Sequence, residues 1–155
     1  LRNFSSLRHY DEMKTMILHD LAATEALARH IATRARQGDA ILLEGPLGAG
    51  KSAFCRAFLR AAAHHSTLEV PSPSFTLVQS YQTTLGPVHH FDLWRLDGPA
   101  GMIELGWEEL QADIVLVEWP DRLGALRPSH ALSLTLALNP DESRHATLQG
   151  WEDRL

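Results

Sequence analysis

The chain has 155 residues, 45% of them hydrophobic and 21% charged, with 14 basic against 19 acidic side chains and a formal net charge of −5. A chain of that length fits one domain able to bury roughly 70% of its unfolded surface, so it needs neither disulfides nor a structural metal. The single cysteine, Cys55, excludes an intramolecular disulfide and any multi-thiolate site, the acidic balance argues against a free-standing nucleic-acid binder, and no apolar run approaches the ~20 residues that span a bilayer.

Leu1 to His9 holds two Arg, two Ser and no acid, a faint transit-peptide character that Asp11, Glu12 and Lys14 interrupt. Residues 1–15 therefore read as a leader or disordered extension, residues 16–155 as one domain, and the expected compartment is the cytoplasm. Met16-Ile17-Leu18 leads to Asp20, whose short carboxylate suits a helix N-cap. Leu21, Thr24, Leu27, Ala28, Ile31 and Ala35 then recur at helical spacing, and Gly38 sits where a left-handed C-terminal cap belongs. Ala40 to Leu43 is an apolar run too short for a helix and reads as a buried strand; Ala53 to Ala63 reads as a helix. Phe75 to Gln82 and Val88 to Trp94 form an expected antiparallel hairpin around the turn residues 83–87. Glu104 to Leu110 reads as a short helix, Ile114 to Val117 as a second buried strand, and Ala131 to Leu138 with Ala146 to Gln149 as a second antiparallel pair. The expected class is α/β, a sheet parallel in its core with antiparallel strands and helices at its flanks.

Between the first buried strand and the following helix lies Gly45-Pro46-Leu47-Gly48-Ala49-Gly50-Lys51-Ser52, a complete G-x-x-x-x-G-K-[ST]. Glycines at these positions allow a tight turn in which successive amides converge on one concavity. Lys51 supplies a mobile positive charge for terminal phosphates, and the Ser52 hydroxyl suits the oxygen shell of Mg²⁺. Together with Ala53, which opens the helix, the segment predicts a phosphate cradle at a helix N-terminus. The guanine-reading N-K-x-D tetrapeptide is absent, which makes ATP the expected nucleotide.

Such a cradle calls for a carboxylate at the end of a neighbouring strand. Glu118 ends Ile114-Val115-Leu116-Val117, and Asp92 lies within His89-His90-Phe91-Asp92-Leu93. Either acid can serve metal or water; their spacing does not divide the two tasks. Neighbouring strand residues face opposite ways, so His89 and His90 cannot jointly chelate one ion, and a structural role is expected for both. Ser74 and Thr76, flanking Phe75, stand where a γ-phosphate-sensing switch or a capped turn would lie.

The order of these motifs resembles the TsaE (YjeE) family, small P-loop ATPases of bacterial tRNA threonylcarbamoyladenosine synthesis. The likeness runs from about Asp20 to Arg144. It rests on Leu47-Gly48-Ala49-Gly50-Lys51-Ser52, on Ser72-Pro73-Ser74-Phe75-Thr76-Leu77-Val78 with Tyr81, on His90-Phe91-Asp92-Leu93-Trp94-Arg95-Leu96, on Glu104-Leu105-Gly106 and on Glu118-Trp119. Departures are Ser74 where Thr is common, Pro46 where Asp or Asn is usual, and Trp94 for Tyr. The resemblance implies a P-loop NTPase-like sheet, with Lys51 and Ser52 on phosphate and Mg²⁺, and Asp92 and Glu118 as metal and water acids. It also implies Trp119 beside the site and the base near Leu21, Thr24 and Arg144. Its implied activity is slow, Mg²⁺-dependent ATP hydrolysis in partnership with the TsaD and TsaB proteins, with tRNA engaged only through them. A nucleotide-gated adaptor without catalysis shares most of these residues; a small-molecule kinase is a further rival, for which the hairpin offers no arginine-bearing lid.

Overall fold

Two apolar runs lacking any alternation become the centre of the sheet, because a strand covered on both faces needs apolar side chains in both directions. In the computed structural model, which describes residues 13–155, these are strands β2 (Ala40–Glu44) and β5 (Ile114–Glu118). Around them stand β1 (Met13–Leu18), β3 (Val78–Thr83), β4 (Gly86–Asp92), β6 (Leu132–Leu138) and β7 (Arg144–Gln149), in the sheet order β1-β7-β6-β2-β5-β4-β3. Strands β6, β2, β5 and β4 are mutually parallel, whereas β3 joins β4, β7 joins β6 and β1 joins β7 antiparallel. The expected α/β class is what forms.

The pleat divides the core. Ile41, Leu43, Ile114 and Leu116 pack beneath two helices, α1 (Leu21–Ala32) and α2 (Lys51–Ala63), with Ile31, Phe54 and Phe58. Ala40, Leu42, Val115 and Val117 pack on the opposite face against Met102, Trp107 and Leu123. Those three come from α3 (Gly101–Glu104), α4 (Trp107–Leu110) and a 3₁₀ stretch over Pro120–Leu126. None of the described helices is long and apolar enough to cross a membrane.

Asp20 caps α1 as expected, its carboxylate accepting from the Ala23 amide at 2.9 Å. Other boundaries differ from the sequence reading. Helix α1 ends at Ala32 with Thr33 as its C-terminal cap, whose hydroxyl donates to the His30 carbonyl; Gly38 does take φ +91°, but in the turn before β2. Strand β3 starts at Val78 rather than Phe75, since residues 74–76 form a turn closed by the Leu77 amide on the Pro73 carbonyl. The helix expected over Glu104 to Leu110 is broken by Gly106 at φ +78° into α3 and α4. Of the expected 1–15 extension, residues 13–15 belong to β1 and pair with Gln149, Leu148 and Thr147; the remainder lies outside the described residues.

Cys55 on α2 is fully buried, and desolvation, followed by the nearby Glu118 and Asp92 carboxylates, pushes its thiol well above 9.0. The unfolded chain ionises this thiol first as pH rises, so the stability it confers is complete below 9.0 and declines above it. Denaturant titrations should show the stability gap between wild type and Cys55→Ala shrinking by about 1.4 kcal/mol per pH unit in that range. A gap independent of pH would contradict the thiol's placement.

Candidate functional site

Parallel strands deliver their carboxyl ends to one edge, and three adjacent ones do so here. β2 runs into the glycine-rich corner, β5 ends at Glu118 and β4 ends at Asp92, with Asp92 paired to Glu118 in register. Gly45 takes φ +146°, and a Cβ there would lie 2.4 Å from the Leu136 carbonyl oxygen on β6. Gly48 and Gly50 also adopt positive φ, at +83° and +106°. The corner opens α2 with no side chain capping it and no acid in its first turn, so its leading amides and the positive end of its dipole face outward.

A cavity of about 310 Å³ fills the corner, lined by Leu47 to Ala53 along the loop and faced by Ser72, Ser74, Asp92, Trp94 and Glu118. Lys51 is buried, its ammonium donating to the Gly45 carbonyl and, at 3.2 Å, to the Pro46 carbonyl, and resting 3.7 Å from the centre of the Trp119 ring. Burial lowers its pKa below 10.5, against the opposing pull of Glu118 and then Asp92. Trp119 itself sits at φ +59°, a strained conformation for an aromatic residue, and tilts against Trp94 with ring centroids 4.4 Å apart.

Glu118 is 2% exposed and is held from two sides: the Ser52 hydroxyl donates to Oε1 at 2.9 Å, and Nε2 of His90 lies 2.7 Å from Oε2. Asp92 accepts from the Trp94 amide at 3.1 Å and from the Ser72 hydroxyl at 3.4 Å, while Ser72 and Ser74 join through their hydroxyls at 2.8 Å. Ser52, Asp92 and Glu118 therefore offer a set of oxygens, the donor chemistry a hard divalent cation such as Mg²⁺ takes. Among the described residues one group of three His, Cys, Asp or Glu side chains has its ligand atoms within 4.8 Å of one another, formed by Cys55, His90 and Glu118.

A second cavity of about 280 Å³ shares Gly48, Ala49, Gly50 and Ala53 with the first and extends to Leu21, Thr24 and Arg144. The Arg144 guanidinium donates to the carbonyls of Ala49 at 3.1 Å and Gly48 at 3.3 Å, clasping the loop from β7. Leu21, assigned by periodicity to the buried stripe of α1, is instead 57% exposed and lines this cavity.

The structure thus gathers all residues singled out in the corner, both acids, Leu21, Thr24, Arg144 and Ser74. It does not gather Phe75 and Thr76: Phe75 is 82% exposed beneath the Arg95 guanidinium, and the Thr76 hydroxyl accepts from Gln79. Tyr81 packs against the helical core. Ser72, Trp94 and His90 join the site without having been assigned to it. Strand alternation carried the signal for His90, which shares a face with Asp92 two residues on.

A parallel core, a glycine-rich corner at its carboxyl edge and two acids on the adjoining strands define a mixed α/β protein whose candidate site lies at that edge. The family profile described as threonylcarbamoyl adenosine biosynthesis protein TsaE matches residues 18–146, and the chain belongs to that family. It is 34% identical over 130 residues to the tRNA threonylcarbamoyladenosine biosynthesis protein TsaE of Rickettsia felis, covering 83% of this chain and 75% of that one. Against the protein so described from Bacillus subtilis the identity is 32% over 126 residues, covering 80% and 77%. The crystal structure of Bacillus subtilis YdiB superposes with a TM-score of 0.73 at 26% identity, covering 89% of this chain and 85% of that one. The family places this chain in tRNA threonylcarbamoyladenosine biosynthesis.

Proposed function

We propose that the chain is the ATP-binding, slowly hydrolysing accessory ATPase of that modification, acting in the cytoplasm with the TsaD and TsaB proteins and resetting their complex between turnovers. The observation that carries this reading is the uncapped start of α2 facing a cavity that also holds Lys51, Ser52, Asp92 and Glu118. Amides at that corner bind phosphate oxygens, and Lys51 leaves the Gly45 and Pro46 carbonyls to meet them. The adenine base occupies the adjoining cavity between Thr24 and Arg144. Ser52 and one of the two acids, Glu118 or Asp92, would hold Mg²⁺, which when bound would neutralise charge on the phosphate oxygens. The other acid would orient the attacking water. Ser74 follows the terminal phosphate through its hydroxyl.

Arg144 is occupied by loop carbonyls and Arg95 by Phe75, so neither is directed at the phosphates. P-loop enzymes lacking a positioned arginine turn over at about 10⁻⁴ to 10⁻³ s⁻¹, the unassisted Ras case. Turnover of that order is expected for the isolated protein, with stimulation when TsaD and TsaB are added; equal rates with and without them would contradict the proposal. The negative charge of the chain fits this division of labour, since the phosphate-rich tRNA is then held by the partners.

A further inference from the structure

The two histidines of β4 behave differently. His89 is satisfied at both ring nitrogens, Nδ1 by Ser80 at 2.7 Å and Nε2 by Asp113 at 2.8 Å. His90 has one polar contact, Nε2 on Glu118 at 2.7 Å, while its buried Nδ1 has no hydrogen-bond partner. A buried polar atom without a partner costs stability that an apolar side chain at the same place would not. Packing alone does not account for an imidazole here; its bond to Glu118 does.

Glu118 is anchored through both oxygens, but the two anchors differ in permanence. The Ser52 hydroxyl is a free rotor on the first turn of α2 and, in the proposed function, it has a second task at the metal. His90 is 1% exposed on an interior strand, and its ring has no other hydrogen bond. A carboxylate held at one oxygen by a mobile hydroxyl turns about its broad terminal torsion. Held by the ring, it keeps its orientation when the hydroxyl departs.

We infer that His90 is a positioning residue: its Nε2–H fixes the Glu118 carboxylate in the orientation that turnover requires. A carboxylate oxygen accepts, so the ring carries its proton on Nε2 toward Glu118, with the Nδ1 lone pair directed into the core. The inference rests on the ATPase reading above and assigns a residue that reading does not use.

The test is a cycle of wild type, His90→Leu, Glu118→Gln and the double variant, with His90→Gln as the conservative replacement. Each is measured for single-turnover ATP hydrolysis in the presence of TsaD and TsaB, and for nucleotide affinity by calorimetry. His90→Leu should lower the hydrolysis rate by about 10- to 100-fold, the usual effect of losing a group that orients a site residue, with affinity unchanged. His90→Gln should recover part of the rate. In the Glu118→Gln background, His90→Leu should cost nothing further. Nitrogen-15 NMR of the wild-type ring should show Nε2 protonated and hydrogen-bonded.

Equal losses from His90→Leu with and without Glu118, or a loss shared equally between rate and affinity, would overturn the inference while leaving the ATPase reading intact. A ring protonated on Nδ1 alone would do the same. Wild-type protein that hydrolyses no ATP with both partners present would remove the ATPase reading, and this inference with it. If His90→Leu does not fold, His90→Gln in the two Glu118 backgrounds and the ring's NMR signature separate the same outcomes.

Discussion

Lys51→Ala should lower ATP turnover by about 10²- to 10³-fold, the effect of removing one donor from a site that stabilises developing charge. Lys51 lines the corner cavity, and its ammonium rests on two carbonyls of the loop itself and on the Trp119 face. Burial lowers its pKa, which means that the native protein holds the charge at a cost. Lys51→Met, which keeps the stem, should therefore leave stability unchanged or raised while turnover collapses as in Lys51→Ala. Steady-state hydrolysis and thermal unfolding of the two variants check both halves. Either variant with wild-type turnover would contradict the role given to Lys51, and a large fall in stability for the methionine variant would contradict the cost of burying its charge.

Gly45→Ala should be the most damaging change in the loop. A Cβ there would sit 2.4 Å from the Leu136 oxygen, a backbone atom of β6 held by the pairing of Leu136 with Ala146 on β7, and φ +146° is unfavourable for an L-residue. The strain of the special conformation and the overpacking together amount to about 3 kcal/mol. Gly48→Ala meets no atom within 4 Å and bears only the strain of φ +83°, about 1 kcal/mol. Urea midpoints of the two variants, with nucleotide affinity measured beside them, should rank Gly45→Ala as the more harmful on both counts. The reverse order would show that the corner does not approach β6 as described.

How far the amino acids announced this arrangement depends on how local each feature is. Strands β2 and β5 were legible because burial on both faces removes every polar residue from a run of four. The glycine corner was legible because its backbone demands a residue type at fixed spacing. Glu118 and Asp92 could be picked out because each ends a strand, yet their register neighbourhood is a product of strand order. Strand β1 was missed because it has no apolar alternation of its own: Met13, Lys14 and Thr15 are exposed and are held by pairing with β7. The split between α3 and α4 turns on one left-handed residue, Gly106, which periodicity does not register.

The site followed the same rule. Residues contiguous in the chain were found as a block, whereas His90 and Ser72 enter through side-chain contacts that only the assembled sheet creates. Leu21 illustrates the converse: helical spacing put it in the core, but it lies on the first turn of α1, beyond the sheet's cover and beside Arg144. Phe75 and Thr76 show that adjacency to Ser74 does not bring a residue into the cavity, because the turn over residues 74–76 directs successive side chains apart.

The most direct measurement is a crystal structure with a non-hydrolysable ATP analogue and Mg²⁺. The phosphates should lie against the amides of residues 48–52, with Lys51 drawn away from the Gly45 and Pro46 carbonyls and the metal beside Ser52. An analogue bound elsewhere, with Lys51 still on those carbonyls at saturating concentration, would contradict the account.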